Sequence, residues 1–186
     1  MKQPIHITTD RLIIREIQQS DVYDFHKITQ QDGFYYYCFD GSFDSTQRFV
    51  TEALEAKSIS PRQSFMMAVL GAKNPGEVIG HVTLDYMPKN PEFLDVAYFV
   101  HPKCQGQGVA TESAHAMINY AVQEFNAAKI IATAHPDNKA SQKVLENMGF
   151  LFTGTAEVES TNGDDQRLTY EKETCAVPNW LKAKVG

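Results

Sequence analysis

Gln105-Gly106-Gln107-Gly108-Val109-Ala110-Thr111 is a glycine-rich turn between two kinds of periodicity. Before it, residues 93–101 alternate, with Leu94, Val96, Tyr98 and Val100 on one face and Asp95, Ala97 and Phe99 on the other, as in a strand covered on both sides. After it, Ala110, Ala114, Met117, Ile118, Ala121, Val122 and Phe125 recur at helical spacing. A strand that turns through glycines straight into a helix leaves backbone N–H groups uncovered at the helix N-terminus, where the macrodipole favours an anion. A phosphate-bearing ligand is implied, against the plainer reading of a tight turn. Two phosphate-binding folds drop out on residue identity. A triphosphate loop needs Gly-Lys followed by Ser or Thr, and a dinucleotide fold needs a third glycine where Thr111 stands.

Upstream, Ile5-His6-Ile7 and residues 11–15 read as an amino-terminal strand with a bend. Ser20 is the expected cap of a helix carrying Val22, Phe25 and Ile28, and Ser45 the expected start of a second carrying Phe49, Val50, Ala53 and Leu54. The aromatic run Phe34, Tyr35, Tyr36, Tyr37 lies between them. Residues 65–70 and 77–86, with Asn74-Pro75-Gly76 as their turn, form a β-meander with 93–101. Downstream comes a strand at Lys129–Ala134. Asn138 caps a helix carrying Ala140, Val144, Leu145 and Met148, which Gly149 stops. Residues 150–159 and 166–173 pair through a turn containing Asn162-Gly163. The order β-α-α-β-β-β-α-β-α-β-β has no repeat or linker. One domain over residues 1–186 follows, an α/β fold with a central mixed sheet and helices on both faces.

Composition narrows the function. The 42% of apolar residues suffice for one sizeable core, and no apolar run approaches the ~18 residues of a membrane span. Residues 1–6 hold no apolar stretch resembling a signal peptide, so a cytoplasmic location is expected. Three widely spaced cysteines, Cys38, Cys104 and Cys175, suit neither a disulfide framework nor a zinc knuckle and read as reduced thiols. A net charge of -6 is the opposite of a nucleic-acid-binding footprint and modestly favours a cationic partner. The six histidines show no metal-ligand spacing, so no metal is expected.

Gln105-x-x-Gly108-x-Ala110 resembles the pyrophosphate-binding loop of the GNAT family of N-acetyltransferases, whose pattern is Arg/Gln-x-x-Gly-x-Gly/Ala. Thr9-Asp10-Arg11-Leu12-Ile13-Ile14-Arg15 is similar to the first strand of its ribosomal-protein N-acetyltransferase (RimJ/RimL-like) branch. So is Asp95-Val96-Ala97-Tyr98-Phe99-Val100-His101-Pro102, leading into Gly106-x-Gly108-x-Ala110-Thr111-Glu112. Asn138-x-x-Ser141-x-x-Val144-Leu145-Glu146-Asn147-Met148-Gly149-Phe150 resembles that branch's last helix and following strand. The resemblance covers about residues 8–172, with the four motifs in the family's order.

The resemblance implies acetyl-coenzyme A as co-substrate, lying where the third meander strand splays from its parallel neighbour. Its pantetheine arm would pair with backbone at Phe99 and Val100, as a ligand does that extends a sheet edge. Its pyrophosphate would take the amides of Gln105, Gly106, Gln107, Gly108, Val109 and Ala110, with Thr111 close by. Asn138 and Ser141 would face the pantetheine or the sulfur. Acetyl transfer needs a deprotonated amine, a polarised carbonyl and a proton for the thiolate. Asp95, where the family often has Glu, is the candidate base, directly or through a water; a strand carboxylate paired with a cross-strand base is the competing reading. His81 competes for the same role. Ser141 is the candidate partner of the thiolate, against an ordinary polar residue in a first helical turn, and an amide near Phe99 or Val100 would polarise the carbonyl. Ala97 replaces a frequent Gly, and Cys104 replaces an aromatic residue and reads as a passive thiol. Glu112 reads as an acid favoured by the helix dipole.

The acceptor is expected to be a protein N-terminus or a small-molecule amine, walled by the two early helices, the aromatic run, Phe39 and Asp40. Trp180 is expected to pack on the sheet or against a second subunit, in a monomer or a homodimer. A non-catalytic acyl-coenzyme A sensor is the alternative from another class, and a nucleotide-binding regulator a third.

Overall fold

The computed structural model describes residues 4–31, 34, 39–160 and 163–174. Tyr35, Tyr36, Tyr37, Cys38, Asn162, Cys175 and Trp180 lie outside the described residues, and so do the expectations placed on them. In chain order the elements are β1 (His6–Thr8), β2 (Leu12–Glu16), α1 (Val22–Thr29), α2 (Phe43–Ala56), β3 (Ser64–Gly71), β4 (Asn74–Met87) and β5 (Asn90–Val100). They continue with α3 (Val109–Phe125), β6 (Lys129–Ala134), α4 (Lys139–Asn147), β7 (Leu151–Ser160) and β8 (Gly163–Glu173). The strands form one mixed sheet in the order β1-β2-β3-β4-β5-β6-β8-β7, and among the described residues only β5 and β6 run parallel.

Each sheet face has its own core. Leu94, Val96, Tyr98 and Val100 of β5 pack with Ala114, Met117, Ile118 and Ala121 of α3. On the other face Phe99, Ala68 and Leu70 pack with Phe25 and Ile28 of α1 and Val50 and Ala53 of α2. The strand alternation read from residues 93–101 thus assigns both faces, and helices cover both as expected.

Four local readings differ. The bent first strand is two strands joined by a turn in which Thr9 N–H donates to Leu12 O at 2.9 Å. Ser20 does not cap α1. A short 3-10 turn, Gln19–Asp21, precedes the helix, because the buried Asp21 carboxylate accepts Gln18 N–H at 2.8 Å and grips Arg15 at 2.7 and 2.8 Å. The second helix starts at Phe43, with Ser42 as its cap accepting Ser45 N–H at 3.1 Å. The β3–β4 turn is Ala72-Lys73, with Gly71 opposite Asn74. The ladder skips from there to Leu70↔Val78, and Pro75, which has no N–H to donate, sits in the bulge.

Arg15 and Asp21 form a fork-shaped pair at the foot of β2, and this hydrogen bond is the main cause that raises the Arg15 pKa. Asp21→Ala leaves a half-buried guanidinium without its partner, so we expect a loss of roughly 2 kcal/mol in urea unfolding. A loss below the scatter of such measurements would show the pair to be dispensable.

Candidate active site

β5 and β6 pair only at Phe93↔Lys129, Leu94↔Ile130 and Asp95↔Ile131, although β5 runs on to Val100 and β6 to Ala134. Past Asp95 the two strands diverge. The wedge between them, closed by α3 and α4, holds a cleft of about 610 Å³. Of the residues expected at the site, Phe99, Val100, Gln105, Gly106, Gly108, Val109, Ala110, Thr111, Asn138 and Ser141 line this cleft. Gln107 and Asp95 stand outside the lining. Gln107 is turned outward, its side-chain amide donating to Lys103 O at 2.9 Å.

Backbone direction along β5 follows from its two neighbours. Glu92 O accepts from Ala128 N at 2.9 Å on the β6 side, while His101 N donates to Ile79 O at 2.9 Å on the β4 side. Strand backbone groups alternate, so Tyr98 and Val100 direct their amides and carbonyls toward the wedge. Phe99 directs its carbonyl at β4, where a Cβ on Gly80 would approach it to 2.7 Å. Of the two residues expected to offer backbone, Val100 is the one oriented to do so, and its carbonyl already accepts from the Gln105 side chain at 3.2 Å. Phe99 contributes its ring.

At the mouth of the cleft Gly106 and Gly108 take positive φ of 70° and 77°, and Gly108 is the residue that precedes the first turn of α3. The chain therefore reaches the helix with its first N–H groups uncovered along the cleft lining. That is the anion-binding arrangement of a helix N-terminus, extended by a glycine turn. The fit to a diphosphate-bearing ligand rests on this cradle.

Asp95 is the last residue of the β5–β6 ladder before the split, on the α1/α2 side of the sheet. Its cross-strand neighbour is not a base but another acid, Asp85. Burial, and then the Asp85 charge, push the Asp95 pKa up to about 7. Burial also raises that of Asp85, opposed by hydrogen bonds from Ser64 and Thr83. A carboxyl that titrates near neutrality can take up a proton at working pH and release it again. The register that puts two acids opposite each other gives no signal in the sequence.

On the far wall, Asn138 caps α4 by accepting Ser141 N–H at 3.0 Å. Ser141 Oγ lies 3.3 Å from the hydroxyl of Tyr98, a lining residue not expected at the site. The sequence does carry a signal for it: a buried tyrosine on the core face of a strand needs a partner for its hydroxyl. His81 is a core residue. Its Nδ1–H donates to Met67 O at 2.9 Å, the rings of Phe25, Phe49 and Phe99 surround it, and burial lowers its pKa to about 4. Like Asp95, it lies outside the cleft lining. Cys104 lines the cleft with its thiol pKa raised by burial and by the Glu77 charge, which keeps it protonated.

Phe34 and Phe39 pack edge-on against Phe99 at 5.6 and 5.8 Å, and Phe34 also reaches the cleft. Asp40 is occupied locally, accepting the Ser42 N–H at 2.9 Å and hydroxyl at 2.5 Å. These bonds and one from Ser45 hold its pKa well below the usual carboxylate range. Among the described residues, no helix is long and apolar enough to cross a membrane, and no group of three or more metal-ligating side chains is placed to hold an ion.

The model of the acetyltransferase (GNAT) domain matches residues 11–151, and the chain belongs to that family of acetyl-coenzyme A-dependent acetyltransferases. An uncharacterized N-acetyltransferase of Bacillus subtilis, YnaD, is 28% identical over 150 residues, covering 81% of this chain and 85% of its own. The ribosomal-protein-S5-alanine acetyltransferase of Vibrio fischeri superposes with a TM-score of 0.74 at 17% identity, over 94% of this chain and 100% of its own. The acetyltransferase of Salmonella typhimurium that modifies the N-terminal serine of ribosomal protein L7/L12 does so at 0.75 and 18%, over 89% and 96%. The fold is the one these enzymes share.

Proposed function

We propose that the chain transfers the acetyl group of acetyl-coenzyme A directly to a primary amine, both substrates being bound at once. The observation that carries this reading is a split sheet with a glycine loop at its mouth and, at its vertex, a carboxyl, Asp95, set opposite a second acid, Asp85, where burial and that neighbouring charge push its pKa up. Acetyl-coenzyme A would supply the activated thioester. The amides at Gln105, Gly106, Gln107, Gly108, Val109 and Ala110, with Thr111, would hold its diphosphate, and Asn138 its pantetheine arm. Val100 N–H would polarise the acyl carbonyl. Asp95 would take the proton of the attacking amine, directly or through a water, with Asp85 keeping its proton affinity high. Ser141 and Tyr98, hydroxyl to hydroxyl, would hold a proton for the departing thiolate.

The acceptor we propose is a protein N-terminus, as in the ribosomal acetyltransferases above, or a cationic small amine, in a cytoplasmic enzyme. A net charge of -6 and the Asp85–Asp95 pair favour an ammonium group over a neutral one. Thiol release from acetyl-coenzyme A, followed across primary amines and peptide N-termini, tests this. Amine-dependent release is expected; tight coenzyme A binding without turnover on any amine would make the protein a sensor. Tyr98→Phe and Ser141→Ala should each lower kcat roughly tenfold or more with little change in KM. An unchanged kcat in both would remove this hydroxyl pair from the reaction.

A further inference from the structure

We propose that Arg11 and Glu112, braced by Thr9, form a latch that holds the glycine loop in shape and thereby sets affinity for the diphosphate part of coenzyme A. The inference rests on the cofactor placement given above. A loop with Gly106 and Gly108 both at positive φ has much freedom to lose when it closes on a ligand. A contact that holds it beforehand would spare that cost.

Arg11 Nη1 donates to Gln107 O at 2.9 Å. A peptide unit is planar and trans, so its C=O and the following N–H point in opposite directions. Tying the Gln107 carbonyl to Arg11 on the outer side turns the Gly108 N–H away from Arg11, and Gly108 lines the cleft. The guanidinium is itself gripped: its Nε donates to Glu112 Oε2 at 2.7 Å, and its Nη2 pairs with the same carboxylate. The other Glu112 oxygen accepts the Thr9 hydroxyl at 2.5 Å. Thr9 Oγ1 in turn accepts Leu12 N–H at 2.9 Å, and Arg11 O accepts Ala72 N–H at 2.8 Å. The latch therefore stands on the β1–β2 and β3–β4 turns and reaches the first turn of α3, where Glu112 N–H donates to Gly108 O at 2.9 Å.

An exposed ion pair by itself contributes little to stability. This one has a third partner, the loop carbonyl, and its own charges cancel, so it acts on the loop by direction rather than by attracting phosphate. Burial works against ionised Glu112, but the Thr9 and Arg11 hydrogen bonds and the guanidinium charge hold its pKa below the usual value. Glu112 stays charged through the neutral range.

Calorimetric titration of the full chain with coenzyme A, and with S-acetylpantetheine, which lacks the diphosphate, tests the latch. Arg11→Ala and Glu112→Gln should each weaken coenzyme A binding about tenfold. The double variant should be no weaker than the weaker single, because both changes open one latch. Arg11→Lys keeps the charge but not the fork, and should not restore affinity. Affinity for S-acetylpantetheine should move far less. Unchanged coenzyme A affinity in the folded variants, full restoration by lysine, or equal weakening for both ligands would each overturn the latch. A wild-type chain that binds no coenzyme A would instead overturn the cofactor placement, and the latch with it.

Discussion

Asp95→Asn is expected to lower turnover by roughly two to four powers of ten, the range for losing a general base, while leaving coenzyme A binding in place. As the proposed base, Asp95 would be active in the wild type as the carboxylate. With its pKa at about 7, the rate should climb as pH rises through neutrality. Asp85→Asn removes the like charge across the ladder and should move that climb to lower pH. The same shift has a stability cost of opposite sense. A group whose pKa is raised on folding contributes stability that is present below its unfolded value, near 3.8, and is lost as pH rises through about 7. Asn stays neutral, so the variant should gain on the wild type at pH 8, by about 1–4 kcal/mol, and little at pH 3. Urea unfolding at the two pH values reads this directly. A variant that is inactive yet no more stable at pH 8 would mean that Asp95 is not held in its neutral form by the fold.

Gly108→Val should lower affinity for coenzyme A by at least about a hundredfold, from strain and obstruction together. At φ 77° a branched side chain is strained in the folded chain, and a Cβ there would stand 3.3 Å from Arg11 Nη2. The valine would also cover the amides that a phosphate must approach. The check is a binding titration on a variant whose thermal unfolding shows it to be folded. Unchanged affinity would separate the loop from cofactor binding.

Much of this architecture is visible in the sequence because it is periodic. The alternation at Leu94, Val96, Tyr98 and Val100 against Asp95, Ala97 and Phe99 assigns both faces of β5 by residue type alone, and the α3 stripe with its glycine turn places the loop. The cleft lining follows from the motif positions except at Gln107, because alternation around a turn is not alternation along a strand, and at Asp95, which ends the β5–β6 ladder where the split begins. What the sequence hides depends on pairing between distant segments. Asp95 against Asp85 is a matter of register, and Arg11 against Gln107 and Glu112 of how a turn near the N-terminus lies across a helix start. The surroundings of His81 are hidden in the same way: only the packed rings of Phe25, Phe49 and Phe99 show that the imidazole belongs to the core. Helix starts are misplaced for a similar reason. Ser20 and Ser45 are good caps by type, but Asp21 bound to Arg15 and Ser42 positioned by Asp40 take those places.

Direct transfer within a ternary complex is tested most plainly by initial-rate kinetics on the wild-type protein, varying acetyl-coenzyme A and an accepted amine together and following thiol release. We expect intersecting reciprocal plots, and no release of coenzyme A before the amine is added. Parallel plots, with a burst of thiol equal to the enzyme concentration in the absence of amine, would show an acetylated enzyme and contradict the roles given to Asp95, Tyr98 and Ser141.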